Sequence, residues 1–429
     1  RPTESAVVFL QQLGRGLRLS PDTGKSCLTV LDFIGQQHRR FRFDLRYRAL
    51  LGCSRWQLED QLAQGFPFLP PGCRLVLDRV ASERVLSSLR QCLPTRRPQL
   101  LEELRALAAA GEIGPASGLA QWLEGLAMEP ADFYAIGTGR QAAGFTSLRR
   151  ELGWLPPHQA GPPHPEEERL SCALAGLLHC NDPERLRATA ASLAASAPPA
   201  AEALSERERR QWLMLTAQLF GTGRHWRPLD QALAVLWQVD AWREELIQLL
   251  LLLAERADHR LHPLPWALPV PLRVHGRYSR AEVLAAFAIH DQRGAPRSHR
   301  EGVLWHQASA TDLLFITLRK SEALFSPSTR YRDLALGPSL FHWESQSTTT
   351  AASATGQRYI HHEARGSRVL LFVREQRKQD GRAGGPTEPF VCLGFARYES
   401  HEGERPMAIR WRLEREIPAA WLPVMGLAV

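Results

Sequence analysis

The sequence predicts a multidomain α+β protein, and three observations carry that prediction. An amphipathic helix followed by a short apolar run opens the chain, helical periodicity fills a long middle stretch, and six strand-like runs close it. A chain of 429 residues is long enough for about two to four domains, each with its own core. The pattern changes place the boundaries at residues 1–45, 46–265 and 268–429.

The first segment rests on Gln11-Gln12-Leu13-Gly14-Arg15-Gly16-Leu17-Arg18. At about 100° per helical residue, Gln11, Arg15 and Arg18 fall in one narrow arc, with Ala6, Phe9, Leu10, Leu13 and Leu17 opposite. The unbroken apolar run Leu28 to Ile34 then reads as a strand buried on both faces of a parallel sheet. On spacing alone, a surface helix with solvated arginines fits equally well. His38-Arg39-Arg40-Phe41-Arg42-Phe43 follows, either lying along a phosphate backbone or forming an edge segment.

The octet resembles motif VI of superfamily 2 helicases, Gln-x-x-Gly-Arg-x-x-Arg, and the resemblance extends from Arg1 to about Asp44. It implies the end of a second RecA-like α/β lobe, with Arg15 and Arg18 sensing ATP and Gln11 ordering the cleft. A planar, permanently charged guanidinium suits that task because charge spreads over the γ-phosphoryl oxygens during transfer. No Gly-x-x-x-x-Gly-Lys-Ser/Thr phosphate loop and no acidic Asp-Glu-x-x box occurs in the chain. The resemblance therefore implies the C-terminal part of a longer helicase. ATP and Mg2+ belong to the intact protein, together with a first helicase lobe, and this stretch alone is expected to hydrolyse no ATP.

Composition narrows the partners. The net charge is +8 and the pI about 9.4, which suits a polyanion. Only Lys25, Lys320 and Lys378 are lysines, so the arginine excess reflects GC-rich coding as well as any partner. Seven cysteines without a Cys-x-x-Cys pair exclude a disulfide framework and a zinc knuckle, and no metal is expected. The longest apolar run, Leu246 to Ala254, is interrupted by Gln248 and is too short to cross a bilayer. A cytoplasmic location is expected.

Helical patterns occupy the middle: Arg97–Gly111, Gly118–Met128, Gly144–Trp154, Glu168–His179, Pro183–Ala197, Ser205–Phe220 and Leu229–Ala257. Five prolines between Pro156 and Pro165 mark an exposed extended joint, and Ala194 to Ala203 is a small-residue connector. Near the start, a Pro-rich turn leads into one expected strand, Cys73 to Asp78. His179-Cys180 is discounted as a thiolate–imidazole dyad, since neighbours on a helix diverge by about 100°. The stripe Leu233, Leu236, Trp237, Leu246, Leu249 and Leu250 reads as core. The whole region reads as a scaffold coupling the motor to the module that follows.

In the last segment, Ser279 and Glu282 are spaced as a capping box. Strands are expected at Val303–Gln307, Leu313–Leu318, Ser339–Glu344, Val369–Glu375, Phe390–Tyr398 and Met407–Glu416, the last with Met407, Ile409, Trp411 and Leu413 facing inward and Arg410, Arg412 and Glu414 outward. They suggest a small barrel or a strongly curved sheet. Arg330 and Arg332 lie in a hydroxyl-rich loop suited to phosphate oxygens. Trp343, Gln346 and Tyr359 offer rings and an amide to an extruded base, the alternative being that the rings are core.

Phe341 to Ser347, Gly356 to Ile360, Val369 to Glu375 and Ser400 to Met407 resemble the domain of unknown function that closes many bacterial DEAD/DEAH-box helicases. A phospholipase D-type nuclease often precedes the motor in those proteins. The architecture also resembles type IV restriction enzymes, whose C-terminal domain is similar to the SRA class of methylcytosine readers. That implies a barrel-like SRA/PUA-like module reading double-stranded, modified DNA in phage defence. No lysine has a histidine two residues before it, so the His-x-Lys of a phospholipase D site is absent. Two rival readings remain: a partner-binding module without base recognition, and a metal nuclease on Asp312, Asp333 and Glu375.

Overall fold

The computed structural model describes residues 6–18, 27–31, 47, 50–51, 58, 61–62, 65–66, 69, 73–83, 86, 94–136, 144–257, 259–319, 333–376, 387–422 and 424–426. The chain divides into two compact units, Arg1–Glu112 with Leu123–Ile136, and Ile113–Trp122 with Gly137–Val429.

In the first unit, α1 (Ala6–Gly16) realises the expected helix but ends before Leu17 and Arg18. Leu28 sits over its C-terminal end, a methyl at Gly16 falling 2.9 Å from the Leu28 Cδ2 atom. The expected strand Leu28–Ile34 is corrected over its described part: residues 28–31 carry no ladder, and Val30 and Leu31 are exposed, while residues 32–34 lie outside the described residues. A strand buried on both faces needs flanking strands, and the described residues of this unit contain none. Residues 73–78 are likewise not a strand. There Asp78 caps a helical turn, its Oδ1 accepting from the Ala81 N–H at 2.7 Å. Further on, α2 (Arg97–Ala109) starts with Pro98 in its first turn and stops before Gly111, whose φ of +74° only glycine adopts freely.

The helix α3 (Leu119–Gly125) runs from the second unit into the first, and α4 (Pro130–Tyr134) lies in the first. The second unit holds α5 (Phe145–Glu151), α6 (Glu167–Leu174), α7 (Pro183–Leu193), α8 (Glu206–Phe220), α9 (Leu229–Gln238) and α10 (Asp240–Glu255). The single helix expected over Leu229–Ala257 is two, broken where Val239 takes φ −112° and ψ 60°. After the break, α10 sets two polar side chains, the buried Glu245 and the half-buried Gln248, against helix starts. Glu245 accepts from the Phe145 and Thr146 N–H groups at 2.7 and 2.8 Å, and Gln248 from Leu119 N–H at 2.7 Å. These acceptors satisfy donors that a helix N-terminus leaves unpaired. The proline-rich joint is mostly exposed, with one 3-10 turn at Pro157–Gln159.

Strands β1 (His262–Pro263) and β2 (Arg273–Val274) pair with each other. Then come β3 (Arg277–Tyr278), α11 (Arg280–Ala286), β4 (Val303–His306), β5 (Thr311–Thr317), β6 (Leu334–Gly337), β7 (Leu340–Glu344), α12 (Ala354–Ile360), β8 (Arg368–Arg374), β9 (Phe390–Glu402) and β10 (Ala408–Leu413). The sheet order is β4-β5-β8-β9-β10-β7-β6, with β3 added on β9. Among the described strands, only β5 and β8 pair in parallel. The expected barrel does not close, because the short strands β4 and β6 stand at opposite edges. The sheet is open, mixed and covered on both faces. Leu313, Phe315, Leu370 and Phe372 pack with α11 on one side, while Leu314, Val369, Leu371 and Trp411 pack with Tyr359 of α12 on the other.

The Ser/Thr run after β7 is tied down. Ser353 caps α12 by accepting from the Gly356 N–H at 3.1 Å and donates to the Thr350 carbonyl at 2.6 Å. A methyl at Gly356 would lie 2.0 Å from the Thr350 oxygen, so the loop crosses the helix where only glycine fits. Gly356→Ala is expected to cost about 3 kcal/mol in urea unfolding. An unchanged midpoint would show that the loop gives way.

Candidate nucleic-acid interface

Alternation along neighbouring strands sends every second side chain to one face. On β10, Ile409, Trp411 and Leu413 are buried, so Arg410 and Arg412 face the other way. The register pairs Arg412 with Arg397 on β9 and Ala396 with Val369 on β8, which brings Arg368 beside Arg397. Three arginines from adjacent strands therefore form one row, at the strand spacing of about 4.8 Å. They lie on the face that α11 covers further along the sheet. Here that face opens into a cleft of about 800 Å³, lined by the three arginines together with Pro265, His362 and Phe395.

Like charges opposite each other on a sheet repel, and carboxylates offset this. Arg397 lies 3.5 Å from both Glu363 and Glu414, and Arg412 is 2.7 Å from Glu399. The Arg397 and Arg412 side chains remain 61% and 55% exposed. Exposed pairs contribute roughly 0–1 kcal/mol, so a phosphate can replace the carboxylates at little cost. Arg368 is exposed at the mouth of β8, 5.9 Å over the Phe395 ring. The floor is rigid: His362 is buried, its Nε2 accepting from Tyr398 N–H at 3.0 Å and its Nδ1 facing the Ser367 carbonyl at 3.3 Å. Burial pushes this imidazole below its ordinary pKa, so it adds shape without charge.

The residues singled out from sequence fall elsewhere. Arg330 and Arg332 lie outside the described residues. Trp343 and Tyr359 do meet, with ring centroids 5.5 Å apart, but Trp411 fills the space beside them and both are interior. Core packing is thus the alternative the structure realises for these rings. Gln346 is half-buried in a turn, its carbonyl accepting from Thr349 N–H at 2.9 Å. Gln11 and Arg15 on α1, and Arg18 just past its end, are exposed.

The carboxylates of the nuclease alternative do not converge. Asp312 is fully buried and holds Arg358 through two bonds of 2.7 and 2.9 Å, which lays that guanidinium 4.5 Å over Trp305. Asp333 accepts from the Glu344 N–H. Asp312 pairs with Val369 at one end of the β5–β8 ladder, and Glu375 follows its other end, about 20 Å away along the strands.

Glu375 instead neighbours Glu388. Burial and the Glu375 charge push the Glu388 carboxyl up to about 7, against a hydrogen bond from the Gln376 N–H. A carboxyl raised on folding lowers stability as pH rises from its unfolded value near 4.5 to its folded value near 7. Glu388→Gln is therefore expected to stabilise the chain by about 1–3 kcal/mol at pH 8 and to be neutral at pH 4. Thermal unfolding at both values tests this, and equal effects would remove the titration as cause.

The arginine row and the strands of the larger sheet lie inside one family match. Residues 272–422 match the family model described as Domain of unknown function (DUF3427). This domain is found in helicase-associated proteins. No curated protein matches the chain. The matched region carries the arginine row, the interior Trp343 and Tyr359, and both neighbouring carboxylates Glu375 and Glu388. Among the described residues, no helix is long and apolar enough to cross a membrane.

Proposed function

We propose that the DUF3427 region is the double-stranded DNA-binding module of an ATP-dependent helicase or translocase, and that Arg368, Arg397 and Arg412 grip the phosphate backbone. The observation that carries this reading is their alignment across three strands beside an open cleft. Guanidinium forks suit phosphate oxygens and carry no base information. Base reading of the SRA/PUA-like kind has less support, since Trp343 and Tyr359 are interior. The helical part of the second unit would hold the module as a scaffold. In the intact protein, α1 and the residues just after it would supply Gln11, Arg15 and Arg18 to an ATP–Mg2+ site.

Binding of the full 429-residue chain to matched duplexes, unmodified and containing 5-methylcytosine, tests the reading at two salt concentrations. Equal affinities that fall steeply with salt are expected. Binding that ignores salt, or no binding at low salt, would overturn it. A preference for the modified duplex would restore base reading and require a pocket other than the buried Trp343–Tyr359 pair.

A further inference from the structure

We propose that His179, Cys180 and Glu282 form a site for one thiophilic divalent metal ion of the zinc class. The discounted histidine–cysteine pair is corrected by the backbone. The helical path ends in a 3-10 turn at Ala175–Leu177, so both residues sit in the turn before Asp182 caps α7. Their side chains are freed from helical divergence and converge. The His179 Nε2 lies 3.9 Å from the Cys180 Sγ and 2.6 Å from the Glu282 Oε2, while Sγ is 3.8 Å from Oε1 of the same carboxylate. All three ligand atoms lie within 4.8 Å of one another.

Tetrahedral zinc bonds of about 2.0–2.3 Å separate ligand atoms by roughly 3.3–3.8 Å. The edges from the sulfur to Nε2 and to Oε1 already have nearly that length, and Oε2, the carboxylate oxygen against the imidazole, must recede from Nε2 by less than about 1 Å or leave the ligand role to Oε1. A thiolate with an imidazole selects zinc-like ions over calcium or magnesium. Three protein ligands leave a fourth position for water.

The surroundings fit a ligand set held from behind. Arg185 Nη1 donates to the Glu282 Oε1 at 3.1 Å and its Nη2 lies 3.6 Å from Sγ, while Ser279 N–H donates to Oε2 at 2.9 Å. Such outer contacts orient ligands. Arg185 is also a fixed positive charge, and it contacts the two ligands, sulfur and carboxylate, that are anionic in a metal complex. The His179 side chain is 13% exposed against 1% for Glu282, which gives the ion a route from solvent. Bound metal would tie the turn before α7 to α11 and so fasten the helical scaffold to the DUF3427 region.

The test titrates chelator-stripped full-length protein with Co2+, whose thiolate complexes show a near-ultraviolet charge-transfer band. One equivalent is expected to saturate the band, and Zn2+ to abolish it. Cys180→Ser should remove it and His179→Ala should weaken binding at least about tenfold, with circular dichroism confirming that both variants fold. The remaining cysteines are present in every variant and act as internal control. A band that survives in Cys180→Ser, or no band in the unsubstituted protein, overturns the assignment.

Discussion

Glu282→Ala is expected to lower the unfolding free energy of the metal-free chain by about 3–5 kcal/mol, the usual cost of removing one partner from a buried ion pair. The carboxylate is 1% exposed and faces two cations, Arg185 and His179. Burial works against its charge, yet His179 and Arg185 hold its pKa down to about 2. Burial also opposes the His179 charge, and the Cys180 sulfur with the Glu282 carboxylate overcomes it, holding that imidazole up to about 10. Truncation leaves two positive groups facing each other without water, and it removes the Ser279 N–H acceptor at the start of α11. Glu282→Gln separates these effects, because glutamine still completes a capping box but carries no charge. Urea unfolding at pH 7 with chelator should show glutamine losing most of what alanine loses. A loss below about 1 kcal/mol for both would mean that the cluster contributes little.

The same residue shows where sequence reading stops. Ser279 and Glu282 were legible as a capping box because the motif is local, three residues apart, and the structure bears it out. That Glu282 also meets His179, 103 residues away, follows only from packing. The strands showed the same division. The strand-like run from Phe390 announced β9 and the alternation from Met407 announced β10, whereas β2, β3 and β6 are too short to show a period. Outward-facing Arg410 and Arg412 were read correctly, but their alignment with Arg397 and Arg368 depends on the register between strands. Trp343 and Tyr359 mark the opposite limit: aromatic residues near a strand end have one composition whether they line a pocket or fill a core. The apolar run at Leu28 looked like a central strand because hydrophobicity is local, while strand formation requires a neighbour.

The arginine row makes the second large prediction, and it concerns slope more than affinity. Each phosphate neutralised on duplex DNA releases about 0.9 counterion, which sets the dependence of the logarithm of the binding constant on the logarithm of salt. Replacing Arg368, Arg397 and Arg412 together by alanine should therefore make that slope shallower by about 2.7. Between 50 and 200 mM salt, the unsubstituted chain should lose about 40-fold more affinity than the triple variant. The variant is expected to fold, because the ion pairs it removes are exposed and contribute little. The carboxylates supply a test of opposite sign. Glu363 and Glu414 both compete for Arg397, so Glu363→Gln with Glu414→Gln should tighten binding most strongly at low salt, where charge is least screened. A triple variant whose slope stays within about half a unit of the original would show that DNA is held elsewhere. Tightening by the glutamine pair, lost again when Arg397 is also removed, would locate the contact at this row.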